Sequence, residues 1–201
     1  QSIGLIEKEL RTTGQKADTY LTPHELLVHL IPDEEDHLVI WLGANDTIIS
    51  AVSDNGLAGT GSIGAGLRHL LSDLVAAGIE DPDRAAEHLE RALDCTDDTD
   101  DLVKDVVQAR LREMAAFSLQ VLSSSHLKEG ARIYLIGVEG PLIAETFHEI
   151  LGTEPYFYSV SESMMETAIT NALLSERLTY NTDVDANSQN VKVWQWLRQH
   201  I

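Results

Sequence analysis

Val39-Ile40-Trp41-Leu42-Gly43-Ala44-Asn45-Asp46-Thr47-Ile48 is the stretch that decides the fold. An unbroken apolar run enters a Gly-Ala-Asn-Asp turn, and a second β-branched run starts at Thr47. A short apolar run bounded by turn residues reads as a buried strand entering a reversal. The pattern predicts a strand over 38–42 and an antiparallel partner over 47–52. Ser53-Asp54-Asn55-Gly56 then supplies an Asn-Gly hairpin turn, and a short third strand is expected over 57–60. These connections are too short for a crossover, so the three strands should be antiparallel neighbours.

Upstream, Thr22-Pro23-His24-Glu25 is a helix start, with Thr22 as cap, Pro23 at the first helical position and Glu25 completing a capping box. The helix ends at Pro32-Asp33-Glu34-Glu35-Asp36. An earlier short helix is expected over 3–10. Downstream, Gly61-Ser62-Ile63-Gly64-Ala65-Gly66 leads into a helix over 67–77, stopped by Gly78. Two more helices follow, over 83–93 and 102–122. The longer one carries Leu102, Val106, Ala109, Met114, Phe117 and Val121 as its apolar stripe. Asp97, Asp98, Asp100 and Asp101 suit the positive end of that helix and read as capping and solvation, not as a metal site. Ile133-Tyr134-Leu135-Ile136 is a further buried strand. It turns at Gly137-Val138-Glu139-Gly140 into a helix over 141–151. A last strand over 156–160 precedes a helix from Ser161 to about residue 178. Residues 181–188 read as a linker and 191–198 as a short final helix carrying Trp194.

Charge separates the function classes. Thirty-three acidic residues face 14 basic ones, a formal net charge of −19, and only five of the bases are lysine. Such a surface repels phosphate backbones and anionic lipid, so nucleic-acid binding is not expected. It suits a high-salt cytoplasm, where charges are screened within ~3 Å at about 1 M; a halophilic, cytoplasmic protein is the expectation. No run of 18 apolar residues exists, so no membrane insertion is expected. The 43% apolar content excludes a disordered chain, and 201 residues suit one domain or one lobe of a bilobal protein. The start, Gln1-Ser2-Ile3-Gly4, has no initiating Met and no basic secretory segment, which suggests a fragment. Cys95 is the single cysteine, sits in an acidic run and is read as inert. The histidines, among them His24, His29, His69, His88, His126 and His148, lack metal-ligand spacing and read as surface or boundary residues. Ser123-Ser124-Ser125 has no nucleophile elbow around it. Trp41 is expected in the core, whereas Trp194 and Trp196 in a polar tail suggest docking to a partner or a neighbouring subunit.

The order helix, hairpin strands, Gly turn and helices, strand, Gly turn and helix, strand and helix resembles the second lobe of the actin-like ATPase superfamily, which includes actin, sugar kinases and heat-shock chaperones. The resemblance covers roughly residues 20–178. It implies an α/β, ribonuclease H-like mixed sheet of three antiparallel strands and two more, with helices on both faces. It also implies an actin-like second lobe over 1–180, with a helical insertion about 64–125 and a linker and short helix over 181–201. The hairpin Gly43, Ala44, Asn45, Asp46 and Thr47 stands where the family has its second phosphate loop. Gly61, Ser62 and Gly64 stand in the Gly-rich turn after the third strand. Gly137, Glu139 and Gly140 stand in the adenosine turn. Gly-rich turns let backbone N–H groups approach phosphate, and a helix N-terminus adds its dipole.

The departures from that pattern carry as much meaning. Trp41 stands where an acidic residue usually holds Mg²⁺ through water. Ala44 and Asn45 replace glycines. Asp46 replaces a Thr and sets a carboxylate against the terminal phosphates, a cost on the order of 1 kcal/mol or more. Val138 and Glu139 replace glycines in the adenosine turn. The resemblance therefore implies an actin-like assembly or scaffold protein with a degenerate site, in which ATP with Mg²⁺ binds weakly or not at all. Protein partners or self-association follow from that reading. The alternative is the C-terminal lobe of an active ATPase or small-molecule kinase, and whether the chain is an enzyme stays open here.

Overall fold

The computed structural model of the chain describes residues 22–33, 35–54, 56–79, 81–96 and 99–180, with side chains to Asn171. The expected helix over 3–10, the linker and the final helix lie outside the described residues. Helix α1 (Pro23–Leu30) comes first, followed by β1 (His37–Leu42), β2 (Thr47–Ser53) and β3 (Gly56–Ile63). Helices α2 (Leu67–Ala76), α3 (Pro82–Leu93) and α4 (Asp101–Ser124) intervene before β4 (Arg132–Ile136). Helix α5 (Pro141–Leu151), β5 (Tyr156–Phe157) and α6 (Glu162–Tyr180) complete the order.

The five strands form one mixed sheet in the order β3-β2-β1-β4-β5. β1 pairs antiparallel with β2 and β2 with β3, while β4 runs parallel to β1 and β5 parallel to β4. This is the expected ribonuclease H-like sheet. Because strand side chains alternate, β1 feeds two cores. Leu38, Ile40 and Leu42 join Ile49, Ala51, Ile133 and Leu135 beneath α2 to α5. Val39 joins Ile136 beneath α1 and α6, whose Leu26, Leu27, Leu30, Met165, Ala168 and Ile169 close that side. Helices thus cover both faces.

The expected capping box is present: Thr22 Oγ1 accepts from the Glu25 N–H at 3.2 Å, and Glu25 accepts from the Thr22 N–H at 2.6 Å. Most element ends fall within two residues of expectation. Three readings need correction. β3 continues to Ile63 instead of stopping at Thr60. β5 stops at Phe157, leaving 158–161 as a loop. The buried stripe of α4 is Val103, Val107, Leu111, Met114, Ala115, Ser118 and Val121, whereas Leu102 is 59% exposed and Ala109 is exposed. Asp100 caps α4 by accepting from the Leu102 N–H at 2.8 Å. Ser118 hides within the stripe because its hydroxyl donates to the Met114 carbonyl at 2.9 Å.

Polar groups tie the loops at the N-terminal ends of β1 and β4 together. Tyr134 Oη donates to Asp33 at 2.7 Å and Arg132 Nη1 at 3.1 Å, while the Lys128 N–H donates to Asp36 at 2.8 Å. Burial raises the Asp33 carboxyl, but the hydrogen bonds from Tyr134, the Glu35 N–H and Arg132 outweigh it and hold the group below its ordinary value.

Two histidines of α1 give a pH prediction. Burial lowers the His24 imidazole, outweighing the Ile49 backbone and Glu25, and burial alone lowers His29. A group whose folded pKa is depressed in this way contributes fully above its unfolded value of about 6.5, and the contribution is lost as pH falls below it. The melting temperature should therefore drop between about pH 7.5 and pH 5.5. The double variant His24→Gln/His29→Gln should lose part of that slope; an unchanged slope would refute the assignment.

Net charge gives a second. With 33 acids against 14 bases, carboxylates outnumber cations more than two to one, and their mutual repulsion falls as salt screens it. The melting temperature should be higher in about 2 M than in about 0.1 M KCl, beyond the rise that an uncharged osmolyte produces. A flat or falling response would remove salt adaptation from the account.

Candidate functional site

Because β1, β3, β4 and β5 all run the same way, the loops that follow them gather at one end of the sheet. Ligands of open α/β sheets bind outside the carboxyl ends of such strands. The 43–46 hairpin and the 64–66 turn meet there as one interlocked unit. The Gly43 N–H donates to the Asp46 carbonyl at 2.9 Å. Buried Thr47 donates its Oγ1 proton to the Ala65 carbonyl at 2.8 Å. A Cβ on Gly66 would lie 2.5 Å from the Gly43 oxygen and 2.6 Å from the Asp46 nitrogen, so only glycine lets these backbones touch.

The start of α2 is spent on this contact. The Leu67 N–H donates to the Gly43 carbonyl at 3.0 Å, Arg68 N–H to Ala44 at 2.8 Å, and His69 N–H to Gly66 at 2.9 Å. The positive end of the helix dipole thus faces protein carbonyls. Of the sequence-singled residues, Gly43, Ala44, Asn45, Asp46, Thr47 and Gly64 come together here, with Asn45 and Asp46 exposed. Gly61 and Ser62 lie within β3 instead. A Cβ on Gly61 would stand 2.5 Å from Val121 Cγ2, so packing against α4 accounts for that glycine.

The second Gly turn lies beside the first. Gly137 has φ +128°, and a Cβ there would meet the Leu42 carbonyl at 2.6 Å; one on Gly140 would meet the Leu93 carbonyl at 2.7 Å. Glu139 accepts from Ser159 Oγ at 3.0 Å and so pins this turn to the 158–161 loop. Between α1 and α6, Gly137 of this turn and the 158–161 loop border a cavity of about 310 Å³. Leu30, Trp41, Ile136, Tyr158, Val160 and Met165 supply its apolar lining, and Ser159, Ser161 and Glu162 its polar groups. Trp41 is half-buried, packed against the core beneath α1 and α6 as expected and forming part of this wall. The 158–161 residues escaped sequence reading because Tyr156-Phe157-Tyr158-Ser159-Val160 has the composition of a strand. The signal that could have found them is the pair Ser159 and Ser161, the latter capping α6 by accepting from the Met164 N–H at 3.3 Å.

No protein-family model and no curated protein matches the sequence. Solved structures do match. The ethanolamine utilization protein EutJ from Carboxydothermus hydrogenoformans is 18% identical, with a TM-score of 0.56 over 74% of this chain and 53% of that one. MreB5 of Spiroplasma citri bound to ADP is 9% identical, with a TM-score of 0.67 over 90% of this chain and 67% of that one. The PilM–PilN type IV pilus biogenesis complex is 17% identical, with a TM-score of 0.57 over 86% and 57%. The chain has the actin-like ATPase fold. It spans about half to two thirds of the length of these actin-like structures.

The actin-like frame allows the chain's own groups to be tested against a magnesium nucleotide. Among the described residues, no lysine, arginine or histidine lines this cavity. Trp41 presents an indole there, which cannot orient metal-bound water. Among the described residues, no group of three His, Cys, Asp or Glu side chains is placed to hold a metal ion. The exposed Asp46 carboxylate adds negative charge at the hairpin. The described residues of the cavity wall therefore offer a triphosphate no cationic side chain. No described helix is long and apolar enough to cross a membrane.

Proposed function

We propose that this chain is an actin-like assembly or scaffold protein whose nucleotide site is degenerate. The observation that carries the reading is Trp41, at the end of β1, walling an apolar cavity where phosphate and metal would need charge. The interlock of the hairpin with the start of α2 supports it, since the Gly43, Leu67 and Arg68 N–H groups already have acceptors. Protein partnership is supported by the likeness to PilM in its complex with PilN. Fold alone does not choose between such roles, so the local chemistry has to.

A second reading is an ATPase or kinase lobe, and one observation favours it: the MreB5 structures it resembles hold ADP or AMPPNP. There ATP with Mg²⁺ would lie near Gly43, Ala44, Asn45, Asp46 and Thr47 and near Gly137, Glu139 and Gly140. Light scattering and sedimentation in molar KCl distinguish the two. The scaffold reading expects assemblies that form equally with and without ATP and Mg²⁺, with no phosphate released. Assembly that requires ATP, or is reversed by its hydrolysis, would transfer the chain to the second reading.

A further inference from the structure

We propose that the cavity between α1 and α6 is the docking site of the chain's own C-terminal segment, residues 191–201. The inference goes beyond the scaffold reading and does not depend on it. Two independent features match. The cavity holds about 310 Å³, is walled by Trp41, Ile136, Tyr158 and Met165, and has Glu162 as the charged residue among its described lining. Glu139 stands at its edge, hydrogen-bonded to Ser159. The pocket therefore suits a bulky apolar side chain that brings positive charge with it.

Val191-Lys192-Val193-Trp194-Gln195-Trp196-Leu197-Arg198-Gln199-His200-Ile201 has that chemistry. It holds two of the three tryptophans, and Lys192 and Arg198 with no acid, although the chain as a whole carries −19. All 33 acidic residues precede it. Apolar rings flanked by cations are thus complementary to an apolar pocket with an acidic rim.

Reach selects the same chain over a second copy. Helix α6 begins at the cavity with Glu162 and runs 19 residues to Tyr180, about 28 Å at ~1.5 Å per residue. The 14 residues from Tyr180 to Trp194 span up to about 46 Å at ~3.3 Å each. The segment can therefore return along α6 with length to spare. Tethered at such a distance it meets the cavity at an effective concentration on the order of millimolar, above that of any dilute second copy.

The test uses the full chain carrying Cys95→Ser, Ser159→Cys and Gln195→Cys, oxidised at low concentration. A disulfide within one molecule is expected, forming at least tenfold faster than in a control pairing Gln195→Cys with Ser72→Cys on exposed α2. Equal rates, no disulfide, or disulfide-linked dimers would overturn the proposal. A second measurement needs no crosslink. With Trp41→Phe, the remaining emission comes from Trp194 and Trp196 and should be blue-shifted and shielded from quencher. Adding Ser159→Lys, a cation at the exposed rim, should shift it red. Emission already red in the first variant, or turning blue only on addition of phosphatidylglycerol vesicles, would overturn the proposal and make the segment solvent- or membrane-facing.

Discussion

Gly137→Ala is expected to lower stability by about 3 kcal/mol or more, in the absence of any nucleotide. Two separate effects add. At φ +128° an alanine occupies backbone space that L side chains rarely enter, worth about 1–3 kcal/mol. Its Cβ would also stand 2.6 Å from the Leu42 carbonyl, and overpacking against backbone adds about 1–3 kcal/mol. For a chain of this size each kcal/mol shifts the melting temperature by about 2–4 °C, so a fall of roughly 6–12 °C should appear in a thermal melt. Gly64→Ala is the control, because nothing lies within 4 Å of its Cβ and its φ is not in the positive region. That variant should stay within about 0.5 kcal/mol of the parent. Similar melting temperatures for the two variants would show that contact with β1 is not what requires glycine at 137.

Glycine at 137 illustrates how a motif can be read correctly and still mislead. Gly43 and Gly66 fall where phosphate-binding turns are expected and Gly137 and Gly140 where the adenosine turn is, yet a Cβ on any of them would press on a protein carbonyl. The sequence shows that a residue lacks a side chain; it does not show whether protein or ligand fills the space. The fold was legible because hydrophobic runs of strand length, bounded by Gly and Pro, leave few alternatives at 38–42 and 133–136. The phase of α4 was not, because Ser118 and Ala115 carry the buried stripe while the more apolar Leu102 is turned outward. The end of β5 was not, because Tyr158 and Val160 have strand composition but line a cavity instead of extending the sheet. The turns at 43–47 and 137–140 were legible as positions in the fold. Their chemistry, set by which N–H groups already have partners, depends on contacts such as Leu67 to Gly43 that no local spacing encodes.

The most direct test of the degenerate site is a titration of the protein with ATP and Mg²⁺ in high salt, read by calorimetry, beside the variant Trp41→Asp/Asp46→Thr. Trp41 cannot order metal-bound water, and the Asp46 carboxylate opposes phosphate charge, so the two substitutions act on the metal and the anion separately. Each should recover on the order of 1 kcal/mol or more, and about 1.4 kcal/mol is tenfold in affinity. Circular dichroism melts of both proteins ensure that the loss of Trp41 from the cavity wall is not read as a loss of binding. The parent is expected to show no saturation up to about 1 mM, corresponding to less than about 4 kcal/mol of binding, and the variant to bind at least tenfold more tightly. Saturation of the parent near 1 μM, about 8 kcal/mol, would contradict the account and establish a working nucleotide site.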